Sequence, residues 1–230
     1  MKSILTGLFC FIALHAISQD DKLKTDWANL SKYASDNKML GTPGTKEKRV
    51  VFMGNSITEG WKMTDSIFFA GRPYIDRGIS GQTTPQMLIR FRPDVIELKP
   101  AVVVILAGIN DIAENNGPIS LEAVLGNIVS MIQLAQANNI KLVMCSVLPA
   151  NRFPWRPSIL PADKVIALNK MLKDYATQNK IVYVDYYSAM VDDEKGLPKK
   201  YAEDGVHPTL EGYKLMEGLV EEGIKKVLRK

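Results

Sequence analysis

Four short stretches of the chain, 50–53, 102–107, 142–147 and 181–184, are apolar on mostly consecutive residues instead of alternating ones. Strands have this look when helices cover both faces of their sheet. A weaker candidate strand, 74–76, lies between the first two. The gaps carry helical spacing. Leu121, Val124, Leu125, Ile128, Ile132 and Ala135 predict a helix over 120–137. Val165, Leu168, Leu172 and Tyr175 predict another over 162–178, and a last helix spans 210–228. Strands alternating with helices indicate an α/β fold with a parallel sheet. With no linker, no internal repeat and no room for a second core, 46–230 reads as one domain. An N-terminal extension over 19–45 precedes it. There, Trp27, Leu30 and Tyr33 at i, i+3 spacing predict an extra helix over 23–37, broken by Gly41-Thr42-Pro43-Gly44-Thr45.

The N-terminus has a different pattern. Met1-Lys2 is followed by a mostly apolar run over 4–17 and small residues at Ala16 and Ser18. This predicts a signal peptide over 1–18, cleaved after Ser18, and export to the periplasm or beyond. The apolar run is short of the roughly 20 residues of a membrane span, so no stable span is expected. Cleavage would remove Cys10 and His15. It would leave Cys145 alone, hence no intrachain disulfide, and His207 as the only histidine.

Twenty-nine Lys and Arg against 25 Asp and Glu give a formal charge of +4, with both signs mixed along the chain. No basic block with interleaved aromatics occurs, so no nucleic-acid partner is expected. The basic residues at the C-terminus sit where a helix would end, where cations complement the dipole.

In an open parallel sheet, ligands bind beyond the carboxyl ends of the strands. Here those exits carry Gly54-Asn55-Ser56, Gly78-Ile79-Ser80-Gly81 and Gly108-Ile109-Asn110-Asp111, with Asp204-Gly205-Val206-His207-Pro208 on the long last connection. A nucleophile, a base and an acid that orients the base are the minimum for acyl transfer, and Ser56, His207 and Asp204 supply those types. A glycine N–H at Gly81 and an amide at Asn110 suit donors to a developing oxyanion. Each segment also has a plainer reading. Ser56 with Glu59 fits a helix cap. Gly81 and Asn110 fit turns, and Asp204 to His207 fits a surface loop before the final helix.

Taken together, the four blocks resemble the SGNH hydrolases, also called GDSL esterases and lipases. They run in that family's chain order as Gly54-Asn55-Ser56-Ile57-Thr58-Glu59-Gly60-Trp61, Gly78-Ile79-Ser80-Gly81-Gln82-Thr83-Thr84, Leu106-Ala107-Gly108-Ile109-Asn110-Asp111 and Asp204-Gly205-Val206-His207-Pro208. The resemblance implies a three-layer α/β/α sandwich with a flavodoxin-like, five-stranded parallel sheet. It implies Ser56 as nucleophile, His207 as base and Asp204 as its orienting acid. It implies an oxyanion hole from the Ser56 N–H, the Gly81 N–H and the Asn110 side chain, and no metal or cofactor. One departure stands out: Asn55 replaces the aspartate of the family's Gly-Asp-Ser triplet. The run Gly-Asn-Ser-Ile-Thr is similar to the branch of platelet-activating-factor acetylhydrolase-like and secreted carbohydrate esterases, which points to short acyl groups.

Trp61, after the nucleophile turn, and Phe153 and Trp155, in a proline-stiffened loop over 149–161, are candidate substrate contacts. The same loop could instead fold onto the domain's own surface. The expectation is therefore an exported serine esterase acting on an acetylated sugar or glycan. A lysophospholipase or thioesterase of the same family is the alternative within the chemistry. A catalytically silent glycan-binding domain is the alternative outside it. A flavodoxin-like binder of a phosphorylated ligand would need a better phosphate loop than Gly54-Asn55-Ser56-Ile57.

Overall fold

The computed structural model describes residues 26–229. The leader expected over 1–18 lies outside the described residues, as does the start of the extension. After helix α1 (Ala34–Leu40) come β1 (Val50–Gly54), α2 (Ser56–Thr64), α3 (Ser66–Phe69), β2 (Tyr74–Gly78) and α4 (Thr84–Asp94). Then follow β3 (Val102–Ile105), α5 (Ile109–Ile112), α6 (Leu121–Ala137), β4 (Lys141–Cys145), α7 (Ala162–Gln178), β5 (Val182–Val184), α8 (Tyr186–Met190) and α9 (Leu210–Arg229).

The five strands form one sheet in the order β2-β1-β3-β4-β5, all parallel. Val50 pairs with both Tyr74 and Val102, so β1 lies at the point where the strand order reverses. Beyond the carboxyl end of such a strand the flanking loops diverge and leave a crevice. Helices α2 and α9 pack on one face of the sheet, and α4, α6 and α7 on the other. This double cover explains the unbroken apolar runs: every residue of β1 and β3 is buried.

Pairing stops earlier than the apolar runs suggest. β3 ends at Ile105 and β4 at Cys145, although Leu106, Ala107, Val147, Leu148 and Ala150 remain buried. Leu106 still donates its N–H to the Met53 carbonyl of β1 at 3.1 Å, and hydrophobicity does not distinguish a buried strand residue from a buried loop residue. β2 is instead longer than its apolar pattern suggests, extending to Gly78 through two buried charged residues, Asp76 and Arg77.

The N-terminal helix is also displaced from its expected place. Trp27 and Leu30 lie in turns, 42% and 43% exposed, and the helix begins only at Ala34. Asn29 is left-handed at φ 54°, and the Asp26 carboxylate accepts the Leu30 and Ser31 N–H groups. That side-chain turn competes with the helix for the same donors. The segment is fastened instead through Tyr33. Its hydroxyl donates to the Gly78 carbonyl and its ring lies 4.5 Å from the Arg77 guanidinium.

Candidate active site

Ser56 is placed by the junction of β1 and α2. Asn55 caps the helix, its Oδ1 accepting the Ile57 N–H at 3.0 Å. Ser56 is then the first helical residue, where backbone N–H groups have no carbonyl one turn back to bind. Gly54 makes the tight junction possible, because a β-carbon there would sit 1.9 Å from Thr58 Oγ1. The helix-cap reading of Ser56 therefore gives way: Asn55 is the cap. Glu59 turns elsewhere too, accepting the Ser80 N–H at 2.8 Å and the Ser80 hydroxyl, and pairing with Lys32. The Ser56 hydroxyl is left for His207 Nε2, 3.0 Å away.

His207 is oriented by the turn that contains it. Asp204 Oδ1 accepts the Val206 and His207 N–H groups at 2.8 Å each, and Oδ2 faces His207 Nδ1 at 2.6 Å. With a proton on Nδ1, Nε2 is free to accept from Ser56. Partial burial works against the Asp204 carboxylate, but the bond to the His207 ring and the two backbone N–H groups outweigh it and lower its pKa. The sequence thus brings together side chains 151 residues apart, from Ser56 to His207.

Gly81 and Asn110 lie on the neighbouring exits. Gly81 has φ +76°, a region that disfavours any side chain, and no acceptor among the described residues takes its N–H. Asn110 is buried and donates one Nδ2 hydrogen to the Gln82 carbonyl at 3.0 Å. Sequence reasoning did not reach the framework beneath them. Arg90, fully buried, donates to Gln82 Oε1, pairs with Asp94 at 2.9 Å and donates to the Gly54 carbonyl at 2.8 Å. One guanidinium therefore ties the exit of β1 to that of β2. Asp111 accepts the Thr84 hydroxyl at 2.6 Å and the Thr84 N–H at 3.0 Å. Burial pushes its pKa up to about 6 against those bonds. Only Arg90 and Asp94, an i, i+4 pair within α4, stand at a spacing that the sequence could have offered; the other contacts cross between elements.

Two of the three aromatic candidates are corrected. Trp61 is 1% exposed and stacks between Phe68, at 5.1 Å, and Tyr213, at 5.4 Å, while its Nε1 donates to Glu217. It faces the core because its helical position shares the buried face of α2 with Ile57 and Thr58. Phe153 is completely buried and anchors its loop. Trp155 is the exposed member, its ring 5.1 Å from that of Phe153 and 6.1 Å from that of His207. The loop thus does both things considered for it, one aromatic inward and one at the crevice.

The chain is similar to known proteins along most of its length. A model of the GDSL-like Lipase/Acylhydrolase family matches residues 52–215. A crystal structure of a Bacteroides fragilis protein assigned as an acylhydrolase is 56% identical, with a TM-score of 0.87 over 88% of this chain and 99% of that one. Esterase TesA of Pseudomonas aeruginosa is 28% identical over 69% of this chain and 74% of its own length. An acetylxylan esterase of Xylanibacter ruminicola is 26% identical over 82% of this chain but 46% of its own length, so this chain spans less than half of that relative.

Proposed function

The chain belongs to the GDSL-like lipase/acylhydrolase family, and from that premise we propose that it is an exported serine esterase that removes short acyl groups, acetyl foremost, from carbohydrate. The observation that carries the chemistry is the unbroken line Ser56 Oγ, His207 Nε2, His207 Nδ1, Asp204 Oδ2, at 3.0 and 2.6 Å. Ser56 attacks the ester carbonyl while His207 takes its proton. Asp204 holds the ring and stabilises the imidazolium that forms. The Ser56 N–H, the Gly81 N–H and the Asn110 amide receive the oxyanion. His207 then protonates the leaving alcohol, and water, activated by the same imidazole, clears the acyl-enzyme.

Carbohydrate is favoured by Trp155, a half-exposed ring beside His207. The group that His207 protonates must lie within hydrogen-bond reach of it, so the indole flanks the alcohol side of the ester, where a sugar ring can stack. Similarity to an acetylxylan esterase agrees with this. Export rests on the leader pattern over 1–18. A lysophospholipase or thioesterase of the same lipase/acylhydrolase family is the second reading. Acetyl, butyryl and octanoyl nitrophenyl esters assayed beside acetylated xylan test the choice. Acetyl preference with acetate release from xylan supports carbohydrate; octanoyl preference with no release from xylan replaces it with a lipid substrate.

A further inference from the structure

Asn115 touches three parts of the candidate site at once. Its Nδ2 donates to the Gly81 carbonyl at 3.2 Å, and its Oδ1 accepts Trp155 Nε1–H at 3.4 Å. Its own N–H donates to the Asn110 carbonyl at 3.1 Å. It belongs to a tight turn in which Glu114 is left-handed at φ 56° and Gly117 at φ 92°. That turn is held in place from outside as well. Arg156, on the Trp155 loop, donates to the Glu114 carbonyl at 3.4 Å, and Lys164 pairs with the Glu114 carboxylate at 3.3 Å.

Resting on the esterase reading above, we propose that Asn115 is a positioning residue that locks the Gly81 turn and the Trp155 ring into one unit. The oxyanion donors and the wall on the alcohol side are then set together. The Gly81 segment has three ties in sequence. Glu59 holds the Ser80 N–H, Asn115 holds the Gly81 carbonyl and Asn110 holds the Gln82 carbonyl. Removing the middle tie leaves the Gly81–Gln82 peptide held only by the turn's own bond from the Gln82 N–H to the Ile79 carbonyl, at 3.3 Å. It so loosens the Ser80–Gly81 peptide next to it, because Gly81 has no side chain to resist. An N–H that must meet the oxyanion on arrival then has to be reorganised during the reaction, which lowers kcat. The other arm of the amide acts on Trp155, whose ring an unheld side chain would let swing away from His207. That loss appears in KM for a substrate that stacks on the indole.

The two arms separate by substitution. Asn115→Asp keeps an acceptor for Trp155 and loses the donor to Gly81. Asn115→Ala loses both. On 4-nitrophenyl acetate, both variants should lose about tenfold in kcat with KM within about twofold, and with unchanged thermal midpoints. On an acetylated xylooligosaccharide, Asn115→Ala should also raise KM several-fold, whereas Asn115→Asp should not. Wild-type kcat in both variants, or losses that simply follow a lowered thermal midpoint, would overturn the role. Ser56→Ala run alongside separates the two layers. If it retains activity the esterase reading falls, and this inference with it. If it is dead while both Asn115 variants match wild type, only the positioning role is wrong.

Discussion

Asp204 grips His207 at two points with one carboxylate, Oδ1 on the backbone N–H at 2.8 Å and Oδ2 on ring Nδ1 at 2.6 Å. The same group builds the turn and sets the tautomer. This double use explains why Asp204 and His207 are only three residues apart: the spacing closes a side-chain-to-backbone turn whose second oxygen is left over for the imidazole.

Asp204→Asn should separate these jobs. An amide oxygen can still accept the Val206 and His207 N–H groups, so the fold and the thermal midpoint should hold. Its NH2 cannot accept from Nδ1–H, so the ring loses its orientation and kcat/KM should fall on the order of 10²–10⁴. Steady-state kinetics together with a melt check this; a variant near wild-type rate would remove Asp204 from the mechanism.

Asn110→Ala should lower kcat by roughly 10²–10³ with a smaller effect on KM, because the amide acts on charge that appears only in the transition state. The variant also leaves the Gln82 carbonyl without its partner. Asn110→Ala should therefore melt lower than wild type by an amount too small to account for the rate. A rise in KM alone would make Asn110 a ground-state contact instead.

The sequence carried the sheet and the gathering of the candidate residues at one edge, and for a physical reason. Double burial leaves continuous apolar runs, and strand exits of a parallel sheet gather on one edge, so Ser56, Gly81, Asn110 and the Asp204–His207 turn could be placed in order. What it did not carry was orientation and partnership. Trp61 reads as exposed only if the facing of α2 is unknown, and Phe153 and Trp155 differ in burial though two residues apart. Arg90, Asp111, Glu59 and Asn115 act through contacts between distant segments, which local periodicity does not encode. The early helix failed because an Asp26 side-chain turn and a left-handed Asn29 intervene.

Asp76 gives a stability prediction. It is buried, its Oδ1 accepts the Gly78 N–H at 2.7 Å, and Oδ2 has no partner among the described residues. Burial pushes its pKa up to about 6 from an ordinary 3.8, against the Gly78 hydrogen bond. Between those values the folded state keeps a proton that the unfolded chain releases. Its contribution is full below about pH 3.8 and is lost as pH rises through about 6, by on the order of 2–3 kcal/mol. Asp204, with its pKa lowered, acts in the opposite sense and loses its contribution as pH falls. Denaturant melts of wild type and Asp76→Asn from pH 4 to 7 should show the variant gaining on wild type as pH rises. A constant difference across that range would rule out the buried titration.

The central claim is that Ser56 is the nucleophile activated by His207, and a serine-reactive fluorophosphonate probe with peptide mapping tests it most directly. The account predicts a single phosphonyl adduct on the peptide containing Ser56. Labelling should vanish in Ser56→Ala and slow on the order of 10²-fold or more in His207→Ala, where no imidazole takes the proton. An adduct on another residue, or labelling of His207→Ala at the wild-type rate, would contradict it.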